Sequence, residues 1–284
     1  MDIDLRKLRY FVAVAEELHF GRAAKRLYIT QPVLSRQIRA LEHELGAQLF
    51  SRNKRSTELT PAGHQLLEDA RPLLASAAAL GRRIEQAAHG APTFTVGFMP
   101  GIIVTAAVRV LAARHPELSI GVLRTSWDDQ TEVVHNGRAD VSFVRMPVDR
   151  QGLRLRPLFS EPRVAVLSAD HRLADKQSIG VADLAYERLL QNPDAVPEWR
   201  DLPERPKAEP ARPAFTGVEE KLEHIATSGG VVVLPLSTAT FYTRSDIVHV
   251  SIEDIGPNQV CLAWSADRRS PLIEEFAGIA GDQA

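Results

Sequence analysis

The chain has 284 residues, 44% of them hydrophobic and 25% charged, which argues against wholesale disorder and allows two or three domains with substantial cores. No apolar stretch approaches the roughly 18 residues of a membrane span. The charged, amphipathic start does not resemble a signal peptide, so we expect a cytoplasmic protein with no membrane partner. The single cysteine, Cys261, argues against a disulfide or a thiolate metal site, and we expect it in the core.

Charge is distributed unevenly along the chain. Residues 1–65 contain eleven Lys or Arg against seven Asp or Glu, whereas the whole chain has a formal net charge of −2. A basic amino-terminal region on an acidic body is expected where one end of a protein binds a polyanion such as DNA.

Three helices are predicted in the first 45 residues. An apolar stripe over residues 5–18 recurs at three- and four-residue steps, and residues 23–27 form a second, short helix after a break. Thr30 is a suitable N-cap and Pro32 falls in the first turn, so a third helix should run to about Leu45. This spacing is typical of a helix-turn-helix.

The third helix has two opposite faces. Its inner face is apolar and consists of Leu34, Ile38, Leu41 and Leu45. Its outer face carries Pro32, Ser35, Arg36 and Arg39, whose hydroxyl and guanidinium groups are of the kinds that bind base edges and phosphates in a major groove. A basic turn at 51–57 between short apolar runs then predicts a hairpin wing.

A long helix is predicted from Thr60 to about Ala88. Its apolar seam alternates by four and three residues and comprises Leu66, Ala70, Leu73, Ala77, Leu80, Ile84 and Ala87. A helix that protrudes between two domains has no cover for such a seam in its own chain, so we expect pairing with a second subunit. Packing against a later domain of the same chain is the alternative, and Pro72 should kink the helix.

Beyond a hinge at 89–92, strands alternate with helices, which predicts mostly parallel sheets. Strands are expected at 94–98, 120–123 and 141–144, with helices ending near His115 and covering about 130–136. A second α/β unit should begin near Arg163, with strands at 164–167, 189–190, 231–234, 247–250 and 260–264. The proline-rich segment 193–213 is expected to be an extended surface loop.

The amino-terminal motifs identify a family. They are Leu8-Arg9-Tyr10-Phe11, Ala23-Ala24, Gln31-Pro32-Val33-Leu34-Ser35-Arg36-Gln37-Ile38, Leu41-Glu42, Leu45-Gly46, Leu49-Phe50, Arg52 and Leu59-Thr60-Pro61-Ala62-Gly63. With 137–141 and 229–235 as weaker support, the sequence resembles the LysR-type transcriptional regulators. The resemblance implies an α/β multidomain fold with a winged helix-turn-helix at 1–59, a dimerising linker helix at 60–89, and a two-lobed, periplasmic-binding-protein-like effector domain at 90–284.

The resemblance also implies roles for individual residues in DNA binding. Residues matching Gln31, Pro32, Ser35 and Arg36 meet the major groove, and Arg55 best matches a wing arginine that enters the minor groove. Arg39, Arg52 and Lys54 are expected to contact phosphates. The implied partner is double-stranded DNA carrying an interrupted palindrome, bound by dimers that assemble into a tetramer, and RNA polymerase is a candidate further partner.

Family effectors bind in the cleft between the lobes. The resemblance places Met99, Pro100 and Gly101 in the first loop there and Thr125, Ser126 and Trp127 in the second, although Pro100 stands where many relatives have Ser or Thr. Arg145 resembles an arginine that binds carboxylate effectors, and with Gln191 and Asn192 it predicts a small carboxylate ligand. A structural ion pair is the equally weighted alternative for Arg145.

Other function classes have less support. We find no nucleophile elbow, no phosphate-cradling glycine loop and no carboxylate pair, so no catalytic residue is assigned. No metal site is expected from the nine histidines and no cofactor is expected. A solute-binding protein and an effector-independent repressor remain alternatives to an effector-modulated regulator.

Overall fold

The computed structural model describes residues 3–53, 56–88, 92–203, 215 and 217–283. It divides into two compact units, Met1–His89 with His135–Arg138, and Gly90–Val134 with Ala139–Ala284. Its helices are α1 (Leu5–Glu17), α2 (Phe20–Arg26), α3 (Gln31–Leu45), α4 (Pro61–Ala88), α5 (Thr105–Arg114), α6 (Glu132–His135), α7 (Pro197–Arg200), α8 (Val218–Ser228), α9 (Leu236–Phe241) and α10 (Pro271–Asp282). Its strands are β1 (Phe50–Asn53), β2 (Ser56–Leu59), β3 (Thr93–Phe98), β4 (Ser119–Arg124), β5 (Val141–Arg145), β6 (Leu153–Glu161), β7 (Arg163–Ser168), β8 (Ser178–Ile179), β9 (Val232–Pro235), β10 (Ile247–Ile252) and β11 (Asn258–Ser265).

The first unit is a winged helix-turn-helix followed by a long helix, as predicted. The apolar faces of α1, α2 and α3 enclose one core, in which the Phe11 and Phe50 rings lie 5.4 Å apart. Thr30 occupies the N-cap of α3, but its side chain makes no capping hydrogen bond. The strands β1 and β2 pair in antiparallel fashion and form the wing.

The long helix α4 is fixed to the wing at its start. Thr60 Oγ1 accepts a hydrogen bond from Gly63 N at 3.0 Å and donates one to Gln48 O at 2.6 Å. A Cβ atom at position 63 would overlap the carbonyl oxygen of Leu49, so only glycine allows this close approach. The helix continues through Pro72, and the predicted kink stays a prediction.

The predicted seam of α4 is used in two ways. Leu66 and Ala70 pack into the winged-helix core, so the expectation that the whole seam lacks cover in its own chain was wrong for these two positions. Leu73, Leu80 and Ile84 are exposed in the single chain. The exposed part of the seam therefore begins about one heptad later than the sequence pattern indicates.

The second unit contains two α/β lobes. Lobe I is built on a five-stranded sheet of order β4-β3-β5-β11-β6, covered by α5 and α10. Lobe II is built on a four-stranded sheet of order β8-β10-β7-β9. The chain crosses from lobe I to lobe II after β6 and returns before β11, so two strand connections join the lobes.

The expectation of mostly parallel sheets was wrong. In lobe I, β3 is parallel to β4 and β5, but β11 is antiparallel to β5 and β6. In lobe II, β7 is antiparallel to β9 and β10, while β8 and β10 pair in parallel. Both sheets are mixed because the returning strand and the strand that enters lobe II run against their neighbours.

Several predicted elements need correction. The segment 260–264 forms a strand, β11, but it belongs to lobe I and not to the second unit. Leu189-Leu190 is no strand and makes one isolated bridge, from Leu189 to Val231. The predicted extended loop 193–213 is wrong for residues 193–203, which contain α7 and the buried Trp199, whose indole nitrogen donates to Leu184 O at 2.8 Å. The rest of that prediction, 204–213, lies outside the described residues. The hinge at 89–92 lies, except for Pro92, outside the described residues.

Candidate functional sites

The outer face of α3 presents the predicted DNA-reading residues to solvent. Gln31, Pro32, Arg36 and Arg39 are exposed and Ser35 is half-buried. The inner residues Leu34, Ile38 and Leu41 are buried in the winged-helix core. The core therefore fixes which face of α3 remains available to a partner.

The charges on this face are not neutralised within the described part of the chain. Arg36 and Arg39 have no ion-pair or hydrogen-bond partner there. Other cations of the same unit do have partners: Arg22 with Glu17, Arg26 and Arg71 with Glu16, and Lys7 with Glu44. Since protein carboxylates compensate the charge elsewhere, α3 keeps positive charge available for an anionic partner.

The wing is held close to the end of α3. Glu42 Oε1 accepts hydrogen bonds from Leu49 N at 3.0 Å and from Phe50 N at 3.3 Å. Arg52 lies in β1, but nothing is described of its side chain, and the predicted contacts Lys54 and Arg55 lie outside the described residues. The wing therefore begins at a fixed distance from α3.

Tyr28 is a candidate that the sequence analysis missed. Its side chain is 96% exposed and its φ angle is +56°, in the turn directly before α3. A bulky residue seldom adopts a positive φ, and such conformations concentrate at functional sites. The apolar periodicity gave no signal for it, because Tyr28 lies outside every buried face.

A cavity of about 510 Å³ lies between the two lobes. It is lined by Met99, Pro100, Arg124, Thr125, Ser126, Trp127, Asp128, Arg145, Arg163, Arg188, Leu189, Leu190, Gln191, Asn192, Pro193, Ala195, Phe215, Gly217, Val218, Glu219, Lys221, Val233, Leu234, Pro235, Thr238 and Asn258. Its size and its mixture of apolar walls and a few polar groups are typical of a small-molecule site.

The lining includes every predicted effector residue except Gly101. Gly101 has a φ angle of +86°, and a Cβ there would lie 2.5 Å from the carbonyl oxygen of Ser237. Its role in this structure is thus the close packing of the loop after β3 against α9, and its assignment to the effector site needs correction.

Arg145 lines the cavity, and both of its terminal guanidinium nitrogens bind protein groups. Its side chain is 1% exposed and pairs with Glu161, and its Nη2 donates to Ser237 Oγ at 2.9 Å and to Pro100 O at 3.4 Å. Burial lowers the pKa of Arg145, which Glu161 opposes. Of the two interpretations of Arg145 from sequence, the geometry favours the structural ion pair, which lies within lobe I, while the hydrogen bond to Ser237 connects Arg145 to lobe II.

Other predicted polar residues also bind neighbouring protein groups. Ser126 donates to Asp129 Oδ1 through both its backbone nitrogen, at 2.6 Å, and its hydroxyl, at 2.9 Å. Gln191 Oε1 accepts from Val233 N at 2.8 Å, and Asn192 Oδ1 accepts from Asp194 N at 3.0 Å. These three side chains therefore shape the loops that surround the cavity.

Gln130 organises the same region and was not predicted as a site residue. It is buried, its Oε1 accepts from Arg145 N at 2.7 Å, and its Nε2 lies 3.3 Å from both Trp127 O and Arg145 O. It thereby fixes the loop after β4 to strand β5. The sequence gave no signal for it, since a glutamine next to a helix is ordinarily a surface residue.

A winged helix with an unpaired basic face, followed by a two-lobed domain with a cavity, defines a ligand-responsive DNA-binding regulator. Two family models match the chain: "Bacterial regulatory helix-turn-helix protein, lysR family" over residues 5–64, and "LysR substrate binding domain" over residues 87–284. The chain belongs to the LysR family of transcriptional regulators. A solute-binding protein is wrong as an alternative, because it leaves the helix-turn-helix match unexplained.

Individual relatives agree with this assignment. The chain is 32% identical to the HTH-type transcriptional regulator AlsR of Bacillus subtilis, over 99% of this chain and 96% of AlsR. It is 38% identical to the uncharacterised HTH-type transcriptional regulator YnfL of Escherichia coli. That match covers 67% of this chain and 66% of YnfL. The solved structure of full-length BenM, a regulator of Acinetobacter baylyi, has a TM-score of 0.54 at 27% identity, covering 99% of this chain and 96% of BenM.

The chain is therefore a DNA-binding transcriptional regulator with an effector-binding domain, and its family binds DNA as oligomers. Within the part of the chain that the structure describes, no helix is both long and apolar enough to cross a membrane.

Proposed function

We propose that this protein binds an interrupted palindrome as a dimer or as a tetramer assembled from two dimers, and that a small carboxylate in the cavity modulates its action. The observation that carries the DNA-binding part is the exposed, unpaired Arg36 and Arg39 on a helix whose other face is buried. Two recognition helices in successive major grooves would contact half-sites one or more helical turns apart. Because its partner is chromosomal DNA, we infer that it acts in the cytoplasm, without catalysis of its own.

Within this proposal the domains have separate tasks. Residues 1–59 bind DNA, residues 60–89 hold two subunits together, and residues 90–284 bind the effector. The exposed Leu73, Leu80 and Ile84 of α4 supply an apolar surface for the second subunit. Ligand binding changes DNA binding to the extent that its affinity differs between two arrangements of the lobes. RNA polymerase is a further partner under this proposal.

The DNA-binding part is tested by recovering bound genomic fragments and measuring affinity for the strongest one by mobility shift. We expect Arg36→Ala to weaken specific binding roughly tenfold or more, because one base contact contributes about 1–3 kcal/mol. Arg71→Ala is the matched control, since Arg71 lies in the same unit and its charge is paired with Glu16 at 3.1 Å. Unchanged affinity in both Arg36→Ala and Ser35→Ala would contradict the assignment of α3 as the recognition helix.

The role of Tyr28 in DNA binding is tested with the same fragment. We expect Tyr28→Ala to weaken operator binding while leaving the melting of the winged helix intact, since the ring is exposed and contributes little to the core. Equal loss of stability and affinity would assign Tyr28 a structural role.

A further inference from the structure

The charged side chains that line the cavity are mostly paired with one another or with neighbours. The lining contains five cations, Arg124, Arg145, Arg163, Arg188 and Lys221, and two anions, Asp128 and Glu219. Arg124 pairs with Glu219 at 2.7 Å, Arg145 with Glu161, and Arg163 with Glu198. Among the described residues, Arg188 and Lys221 are the lining cations without an ion pair.

The two unpaired cations differ in solvation. Arg188 is exposed, so water hydrates its charge, whereas Lys221 is half-buried. Burial lowers the pKa of Lys221, and the negative charge of Asp128 opposes this effect through space. A half-buried ammonium group without a hydrogen-bonded partner gains more from an incoming anion than a hydrated one does.

An unsatisfied hydroxyl group lines the same cavity from the other lobe. Thr125 is 3% exposed, and its Oγ1 is buried with no hydrogen-bond partner in the described part of the chain. Buried polar groups in proteins nearly always have partners. An orphaned hydroxyl in a cavity wall therefore points to a ligand or a water molecule.

Direct contacts between the lobes are made by residues that are close in sequence to these two groups. Arg124 Nη2 lies 2.7 Å from Glu219 Oε1 and 2.9 Å from the Tyr242 hydroxyl, which itself lies 2.8 Å from Glu219 Oε1. Thr125 follows Arg124 in the chain, and Lys221 lies two residues after Glu219 in the first turn of α8. Asp128, three residues after Thr125, acts on Lys221 through space, and all three residues line the cavity.

We propose that Lys221 and Thr125 together bind the carboxylate group of the effector, which is a small monocarboxylate with an apolar body. The ammonium group supplies the charge and the hydroxyl donates a hydrogen bond to a carboxylate oxygen. Trp127, Leu190 and Phe215 line the cavity and offer an apolar surface to the rest of the ligand. This assignment rests on the proposed function of the cavity as the effector site, and it replaces Arg145 as the anion-binding residue.

Binding is measured by calorimetry on the full chain, with tryptophan fluorescence as a second signal because Trp127 lines the cavity. The probes are benzoate and hexanoate, each compared with its neutral isostere, benzamide or hexanamide. We expect the carboxylates to bind more tightly than the amides, and Lys221→Met to weaken carboxylate binding roughly tenfold or more. Lys221→Arg should restore most of the affinity, and Thr125→Val should weaken binding by a smaller factor.

The control variant is Arg188→Met, which removes a lining cation that is exposed and should change carboxylate affinity less than threefold. The midpoint of tryptophan-monitored unfolding in each variant shows that the lobes remain folded. Carboxylate affinity that is equal in wild type and Lys221→Met would overturn the assignment of Lys221. Failure of both carboxylates to bind at millimolar concentration would overturn the ligand class. The DNA-binding part of the proposed function is tested separately, by operator binding in the mobility-shift experiment.

Discussion

Replacement of Arg145 by methionine should strongly destabilise the α/β unit, because the variant leaves Glu161 buried without its cation. The two side chains are 1% and 10% exposed, so solvent screening does not weaken their interaction much. In the variant, Glu161 retains the hydrogen bond that its Oε2 accepts from Ser237 N at 2.9 Å. Removing one partner of a buried ion pair typically costs about 3–5 kcal/mol.

For a domain of this size, each kcal/mol corresponds to a shift in Tm of about 2–4 °C, so Arg145→Met should lower the Tm by roughly 6–20 °C. Tryptophan fluorescence reports this transition selectively, because all three tryptophans, Trp127, Trp199 and Trp264, lie in the α/β unit. The double variant Arg145→Met with Glu161→Gln should recover a large part of the loss, since it removes both buried charges.

The matched control lies on the same sheet. Arg154 and Glu274 form an ion pair at 3.8 Å whose side chains are more than half exposed, so Arg154→Met should change stability by at most about 1 kcal/mol. A Tm for Arg145→Met within about 2 °C of the wild-type value would refute the structural role of Arg145. A double variant that is no more stable than the single one would refute the reasoning about the orphaned carboxylate.

Three further predictions concern other parts of the chain. Gly63→Ala should destabilise the winged helix by about 1–3 kcal/mol, because the new methyl group overlaps the Leu49 carbonyl. Gly81→Ala, in open space on the same helix, should stabilise α4 by up to about 1 kcal/mol. Equal effects of the two substitutions on the melting temperature measured by circular dichroism would contradict this contrast. Leu80→Glu should shift the sedimenting species from dimer to monomer with unchanged helicity, since Leu80 is 53% exposed in the single chain, and a persistent dimer would place the subunit interface elsewhere. Cys261 is buried, and burial raises the pKa of its thiol. Thiol-reactive dyes should therefore label it slowly in the native protein and fast in denaturant. Rapid labelling of the native protein would contradict its place in the core.

Local patterns in the sequence were sufficient to predict the DNA-binding unit. The apolar steps of α1, α2 and α3 and the N-cap position of Thr30 act over one or two helical turns. The buried face of α3 therefore follows from the spacing of Leu34, Ile38 and Leu41, and the exposed face follows from what remains.

The arrangement of the sheets depended on contacts between distant parts of the chain. The strand β11 has the composition of a buried strand, but its neighbours β5 and β6 lie more than 90 residues earlier, and no local pattern records that pairing. Strand β6 was not predicted at all. It carries Pro157, which is tolerated because β6 pairs only with β11 and lies at the sheet edge.

The tertiary structure also decided the chemistry of the cavity. The sequence placed Arg145 at the end of a strand but could not show that Glu161, sixteen residues later, would neutralise it in a buried pair. Lys221 gave no motif, because its importance arises from burial and from Thr125 and Asp128 in the other lobe. Residue types and their spacing determine which side chains a helix or strand presents, whereas the partners of a buried charge depend on which distant segments pack against it.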